Sequence, residues 1–295
     1  MKLATYMYNG EEKVGVISSD MKSVTDISQL GLTYASMEEL IRNITDEEMV
    51  LIKEKLPTAE ITDLADVELM APIPRPKRDI VCLGINYDEH AKESSGFTNI
   101  QYKGTPAQAV YFSKRVINAP GPFDFIDGHS DIVADLDYEV ELAVILKKEA
   151  KDVKKEDAED YIFGYTIIND ISARTLQSQH KQWFRGKSLD DFAPMGPWIV
   201  TADEIPFPPE LNLSCRVNGE LRQNSNTRKM IFDIGYILQE FSAGLTLDAC
   251  TIIATGTPSG VAMGMESPVY LKEGDVVECE IENIGIIRNT IVCGK

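Results

Sequence analysis

Apolar and polar residues alternate in short runs along most of the chain, a pattern typical of β-strands. After residue 78 these runs are rich in Ile, Val, Thr and Tyr and are bounded by Gly, Pro, Asn or Asp. They cover residues 79–86, 138–146, 163–171, 197–205, 211–221, 250–260, 276–285 and 286–294. Residues 1–35 alternate as well, and the Asn9–Gly10 pair predicts a hairpin turn.

Helical spacing of apolar residues is less frequent. It is found in residues 37–56, among many Glu and Lys, and in the shorter segments 154–162 and 231–244, the last ended by Gly244. Because strands and helices do not alternate regularly, a doubly wound parallel sheet is not expected. The pattern predicts a mainly β, α+β fold.

A proline-rich stretch separates the two parts of this pattern. Pro72, Pro74 and Pro76 lie within five residues and predict a stiff, extended linker. We therefore predict a small N-terminal α+β domain at residues 1–71 and a larger β-rich domain at residues 72–295.

Composition narrows the classes of partner. The chain has 295 residues, 43% of them hydrophobic, and a net charge of −18, so nucleic acid and anionic membranes are not expected partners. No run approaches the roughly 20 apolar residues of a membrane helix, and no signal peptide is recognised, which favours the cytoplasm. The five cysteines are scattered without a C-x-x-C pair, so neither a disulfide framework nor a zinc cluster is predicted. An acidic substrate would need a local positive centre, which a metal ion could supply.

Glu139 and Glu141 are the first candidate site residues. They lie two positions apart in a predicted strand, so both carboxylates should lie on one face, where they repel each other. Asp170, at the end of the next long predicted strand, could join them. Three carboxylates would suit Mg²⁺, Mn²⁺ or Ca²⁺. The alternative is a solvated face of an edge strand.

His90 and Glu93 form a second candidate pair. Their spacing makes them neighbours on one face if "GINYDEHAKE" opens a helix. A histidine oriented by a glutamate is a suitable general base. The alternative is an ordinary surface pair.

Further polar residues follow the predicted strands. Arg174 and Gln177 would lie on one side of a helical turn with Asp170, Lys187 lies in a tight loop, and Thr257 lies in a Gly-Thr-Pro-Ser-Gly turn. The segment 94–110 has no clear periodicity and is either a binding loop or a plain surface excursion.

These pieces together resemble the fumarylacetoacetate hydrolase family. The resemblance covers about residues 72–293 and rests on six motifs in a fixed order. They are "GINYDEHAKE", "LDYEVELAVIL", "FGYTIINDISARTLQ", "RGKSLDDFAPMGPWIVT", "CRVNGELRQ" and "IIATGTPSGV". The resemblance implies a mixed β-roll preceded by a small N-terminal domain, and a homodimer.

The resemblance also implies roles for the candidate residues. Glu139, Glu141 and Asp170 match the Mg²⁺ or Mn²⁺ ligands, and His90 and Glu93 match a water-activating dyad.

The remaining matches concern the substrate. Lys187 matches the lysine that polarises the reacting group, and Arg174, Gln177 and Thr257 match positions that hold substrate oxygens. Some members have Arg or Lys directly before "NY", whereas this chain has Ile85, which disfavours a second substrate anion at that point.

The expected activity is metal-dependent hydrolysis of a C–C bond in an acylpyruvate or diketo acid. Oxaloacetate decarboxylation and isomerisation or hydration of a 2-oxo diacid would use the same site and stay open. The alternative that is not an enzyme is an acidic scaffold that binds a metal ion structurally.

Overall fold

A computed structural model describes residues 1–94 and 106–294 of the chain, with no side-chain detail at position 94. The segment 94–110, for which a binding loop and a plain surface excursion both stay open, therefore lies in large part outside the described residues. Within them, the strands are β1 (Lys2–Tyr8), β2 (Glu11–Ile17), β3 (Ser23–Asp26), β4 (Thr62–Asp63), β5 (Glu68–Leu69), β6 (Ile80–Leu83), β7 (Tyr111–Lys114), β8 (Phe125–Asp127), β9 (Leu136–Asp137), β10 (Val140–Leu146), β11 (Ile162–Asn169), β12 (Ser172–Ala173), β13 (Met195–Thr201), β14 (Asn212–Val217), β15 (Glu220–Asn226), β16 (Ile252–Ala254), β17 (Val276–Ile281) and β18 (Gly285–Val292). The helices are α1 (Met37–Asn43), α2 (Asp46–Lys55), α3 (Asp88–Ser94), α4 (Arg174–Gln179), α5 (Phe184–Lys187) and α6 (Ile234–Ser242).

Two sheets dominate the fold. The larger has the strand order β4-β3-β2-β1-β13-β11-β10-β16-β6-β7, with β5 also paired to β1. The smaller has the order β15-β14-β17-β18-β8. Each of the eight runs predicted after residue 78 overlaps one of these strands. The predicted mainly β, α+β class is confirmed.

The central strand β10 is buried on both faces. Its side chains at 142, 144 and 146 join an apolar cluster that includes Leu213 and Val277 of the smaller sheet. Those at 143 and 145 join a second cluster that includes Leu40 and Ile52 of α1 and α2. By the same alternation, Glu139 and Glu141 lie on the second face.

The N-terminal strands extend the large sheet. Strand β1 pairs with β13 through Lys2–Val200 and Leu3–Ile199. The predicted hairpin at Asn9–Gly10 joins β1 to β2, and its two residues have φ of 52° and 78°. The division at residues 71 and 72 stays a prediction, but the two parts share a continuous sheet.

The helical predictions need two corrections. The segment 37–56 forms two helices because Thr45 caps α2: its hydroxyl accepts a hydrogen bond from the Glu48 N–H at 3.2 Å. The segment 154–162 forms a 3₁₀ helix, Lys155–Tyr161. Helix α6 lies inside 231–244, as predicted, and Gly244 follows it with φ 72°. Among the described residues, the helices are all too short or too polar to cross a membrane.

Candidate metal centre and active site

Strand register brings three carboxylates together. In the β10–β11 pair, Val140 lies opposite Asn169. The pairing continues one residue further, where the Asp170 N–H donates to the Glu139 carbonyl at 2.9 Å. Glu139 directly precedes β10 and Glu141 lies within it. As a result, one carboxylate oxygen each from Glu139, Glu141 and Asp170 lies within 4.8 Å of the others, and all three side chains are buried.

Two cations flank this triad. Lys187 Nζ donates to Glu139 Oε2 at 2.8 Å and to Asp170 Oδ2 at 2.7 Å. Arg174 Nη1 lies 2.7 Å from Glu139 Oε1. Burial by itself raises the pKa of Glu139, but Lys187 and Arg174 overcome this and hold that pKa at about 2. Glu139 is therefore an anion at neutral pH.

Among the described residues, no cation forms an ion pair with Glu141. Burial, together with the charges of Asp170 and Glu139, raises its pKa well above the ordinary value. Its Oε2 accepts from the Gly256 N–H at 2.8 Å, whereas its Oε1 is buried without a hydrogen-bond partner. An unpaired buried carboxylate oxygen is costly, and a divalent cation would satisfy Glu141 Oε1. The donor set fits Mg²⁺ or Mn²⁺.

Lys114 is a site residue that the sequence did not indicate. Its Nζ lies 2.7 Å from Asp170 Oδ1, in an ion pair whose angle is not that of a hydrogen bond. Nζ also donates to the Ile171 and Phe192 carbonyls. A single lysine in "FSKR" carries no local signal for this role, because its partners are distant in the sequence.

Asp137 was also missed. Its carboxylate accepts hydrogen bonds from Arg174 Nε at 2.8 Å and from the Ala262 and Met263 N–H groups at 2.8 and 3.0 Å. It thereby fixes the guanidinium beside Glu139. Its position two residues before Glu139, at the period of a strand, was a usable signal.

The charges of the centre nearly cancel. Four carboxylates face three cations, so full ionisation leaves one net negative charge, and a bound dication would make the sum positive. The groups are Asp137, Glu139, Glu141 and Asp170 against Lys114, Arg174 and Lys187. A site with this balance favours an anionic ligand once the metal is bound, despite the net charge of −18 of the chain.

His90 and Glu93 form the predicted pair on α3. The Nδ1 of His90 lies 3.1 Å from Glu93 Oε2. Glu93 is held from the other side by the Gly260 N–H at 3.0 Å. A Cβ at Gly264 would lie 2.0 Å from Glu93 Cδ, so a glycine is needed there. Gly260, which holds Glu93, also accepts from the hydroxyl of Tyr138, the residue before Glu139, at 3.0 Å, so the dyad lies near the triad.

The predicted substrate-binding residues differ in what their polar atoms contact. Arg174 Nη1 donates to Gln177 Oε1 at 3.1 Å, and Arg174 Nη2 is buried with no hydrogen-bond partner in the described part of the chain. The Thr257 hydroxyl donates to the Val140 carbonyl at 3.0 Å and accepts from Gln223 Nε2 at 2.8 Å. Arg174 therefore has a donor to offer a ligand, whereas the Thr257 hydroxyl serves the fold. That Thr257 contacts substrate stays a prediction.

The sequence profile described as fumarylacetoacetate (FAA) hydrolase C-terminal matches residues 79–292. The chain belongs to this family. The resemblance seen in the six motifs is confirmed.

Several relatives have names or structures. The chain is 45% identical over 228 residues to oxaloacetate tautomerase YisK of Bacillus subtilis strain 168, covering 77% of this chain and 74% of that protein. It is similar to a fumarylacetoacetate hydrolase structure from Exiguobacterium antarcticum, with 38% identity, a TM-score of 0.84 and full coverage of both chains. It is also similar to maleylpyruvate hydrolase of Sphingobium sp. SYK-6 in complex with manganese(II) and pyruvate, with 31% identity, a TM-score of 0.80 and full coverage of both.

Proposed function

We propose that this protein is a divalent-metal-dependent enzyme that interconverts the keto and enol forms of oxaloacetate. The observation that carries the proposal is the His90–Glu93 pair beside a buried triad of carboxylates. Tautomerisation needs one proton moved between carbon and oxygen, which an oriented histidine can do. The 45% identity to an oxaloacetate tautomerase supports this reaction over the others that the site could perform.

Glu139, Glu141 and Asp170 would hold the metal ion. A bound Mg²⁺ or Mn²⁺ supplies a Lewis acid that stabilises negative charge on the oxygens of a 2-oxo acid. The relative described with manganese(II) and pyruvate supports both the metal class and the ligand class.

The chain's own cations would orient the substrate. The unpartnered Nη2 of Arg174 can donate to a carboxylate, and Asp137 fixes the direction of that donor through Nε. The Lys187 ammonium, whose pKa is raised by Asp170 and Glu139 despite its burial, stays charged and stabilises developing negative charge.

His90 would transfer the proton. In the tautomer whose Nδ1–H donates to Glu93, Nε2 can take a proton from the C3 methylene of oxaloacetate. The same proton, or one from solvent, is delivered to the 2-oxo oxygen, so the atoms balance and the reaction runs in both directions. Glu93 stabilises the imidazolium that forms in between.

Hydrolysis of the C–C bond of an acylpyruvate is the second candidate. The same dyad would activate a water molecule, and the likeness to a maleylpyruvate hydrolase favours it. Oxaloacetate decarboxylation also stays open, and it needs no attacking water.

The decay of the ultraviolet absorbance of enol-oxaloacetate, measured together with the release of CO₂ and pyruvate, distinguishes the tautomerase from the decarboxylase and the hydrolase. With Mn²⁺ or Mg²⁺, the purified protein should speed the decay of the enol to the keto form without releasing CO₂ or pyruvate. His90→Asn should slow the catalysed decay by about 10²- to 10⁴-fold. Faster release of pyruvate from acylpyruvates would favour the hydrolase, and no turnover of either substrate would favour a non-enzymatic scaffold.

We also propose a cytoplasmic homodimer, as the family resemblance implies. Light scattering on the purified protein tests the dimer.

A further inference from the structure

Tyr87 carries a buried hydroxyl that has no hydrogen-bond partner among the residues that the structure describes. Its side chain is 2% exposed. Buried tyrosine hydroxyls usually find a partner, because an unsatisfied one loses its hydrogen bonds to water. A ligand that supplies the missing acceptor would remove this penalty.

Several contacts anchor the backbone around Tyr87. Asn86 donates to the Phe232 and Thr255 carbonyls at 3.0 and 2.8 Å. Tyr87 forms a backbone bridge with Met230, and its carbonyl accepts from the Ala91 N–H at 2.9 Å. The tyrosine thus belongs to a segment, just before α3, whose backbone is anchored on both sides.

The same segment lies against the acidic centre. A Cβ at Gly256 would lie 2.8 Å from Asn86 Cβ, and the Gly256 N–H is the donor that holds Glu141 Oε2. After burial, the charge of Glu141 is the cause that raises the pKa of Tyr87. Glu141 Oε1 is itself without a hydrogen bond. An unpaired donor and an unpaired acceptor thus lie in one neighbourhood without bonding to each other.

We propose that Tyr87 is a substrate-binding residue whose hydroxyl donates a hydrogen bond to an oxygen of the bound 2-oxo acid. This inference rests on the proposed function, because it needs an oxyacid ligand in the centre. Tyr87 would add a neutral hydrogen-bond donor on the side of Glu141, whereas Lys187 and Arg174 are charged donors.

Calorimetric titration of oxalate into the Mn²⁺-loaded protein tests the inference. Oxalate is a planar dianion that mimics the enolate of a 2-oxo acid. Tyr87→Phe removes only the hydroxyl, so oxalate should bind about 10- to 100-fold more weakly, as expected for a lost hydrogen bond to a charged group. The affinity for Mn²⁺ alone should be unchanged, and the melting temperature should not fall. Tyr34→Phe is the matched control, since that hydroxyl donates to Glu48 at 2.6 Å outside the site.

The outcomes separate the two claims. Failure of the wild-type protein to bind oxalate would overturn the proposed function and this inference with it. Equal oxalate affinity of wild type and Tyr87→Phe would overturn the inference alone. A lowered melting temperature or weakened Mn²⁺ binding in Tyr87→Phe would also overturn it, because the hydroxyl would then serve the fold or the metal.

Discussion

Lys114 and Asp170 form an ion pair in which neither side chain is exposed to solvent. Nζ lies 2.7 Å from Oδ1, and both side chains have a relative exposure of 0%. Burial lowers the pKa of Lys114, and the charge of Asp170 opposes this. Because Lys187 holds the other oxygen of Asp170, the carboxylate is fixed from both ends.

Lys114→Met should therefore destabilise the protein strongly. It leaves one oxygen of Asp170 and two carbonyls without their partner, and breaking a buried pair from one side costs about 3–5 kcal/mol. Urea denaturation of the metal-free protein measures this loss. Lys155→Met is the control, since its pair with Asp233 is half-exposed and should change the free energy of unfolding by less than about 1 kcal/mol. Equal effects of the two substitutions would contradict a buried-pair role.

Glu141→Gln should separate metal binding from stability. It removes a carboxylate that burial and its neighbours disfavour, so the metal-free protein should melt at a higher temperature. Mn²⁺ affinity should fall by at least about 100-fold, since even residues around metal ligands contribute about 10- to 100-fold. Electron paramagnetic resonance of free Mn²⁺ checks this, with the exposed Glu280→Gln as control. Retained Mn²⁺ binding would remove Glu141 from the ligand set.

Gly264→Ala should damage the dyad without touching the metal. The new Cβ would lie 2.0 Å from Glu93 Cδ, so Glu93 must move away from His90. We expect kcat to fall by about 10²-fold with Mn²⁺ affinity unchanged. In a double-mutant cycle, Glu93→Gln combined with Gly264→Ala should be no slower than Glu93→Gln alone. Additive losses would show that Gly264 acts elsewhere.

Asp137→Asn should raise the KM for oxaloacetate more than it lowers kcat. An amide in place of the carboxylate cannot satisfy Arg174 Nε and the backbone donors together, so the guanidinium loses its fixed direction. A rise of about 10-fold in KM is expected for a weakened charged hydrogen bond. Asp275→Asn is the control: it is a buried aspartate outside the site that accepts from Asn218 Nδ2 at 2.9 Å. An unchanged KM would contradict a positioning role for Asp137.

Thr257→Val should act on stability. Val leaves the Val140 carbonyl and the Gln223 amide without the hydroxyl that joins them, a loss of about 1–3 kcal/mol in the free energy of unfolding. Thr257→Ser keeps the hydroxyl and should recover most of this. If both variants are as stable as the wild type and Val alone raises KM, the hydroxyl binds substrate instead.

The triad could be predicted because its information is local. Period-two alternation puts Glu139 and Glu141 on one face, and an aspartate after an apolar run marks the end of the neighbouring strand. Likewise, Asn9–Gly10 encodes its own turn. The structure added the register that brings Asp170 opposite Glu139.

Other features depend on contacts that the local pattern does not encode. Lys114 acquires its role only when β7 is placed beside segments far along the chain. The break between α1 and α2 is set by one capping threonine, which weighs little against twenty residues of helical spacing. The hydroxyls of Tyr87 and Thr257 look alike in sequence, and only packing leaves one unpaired and the other doubly bonded.

The pairing of β1 with β13 has a practical consequence for any shortened form of this protein. Removing the first 71 residues would turn β13, a strand with all seven residues buried, into an open edge. It would also remove α1 and α2 and thereby expose the apolar cluster that they share with β10. Such an edge invites pairing with other chains. We therefore expect a form without residues 1–71 to aggregate more readily than the full-length protein.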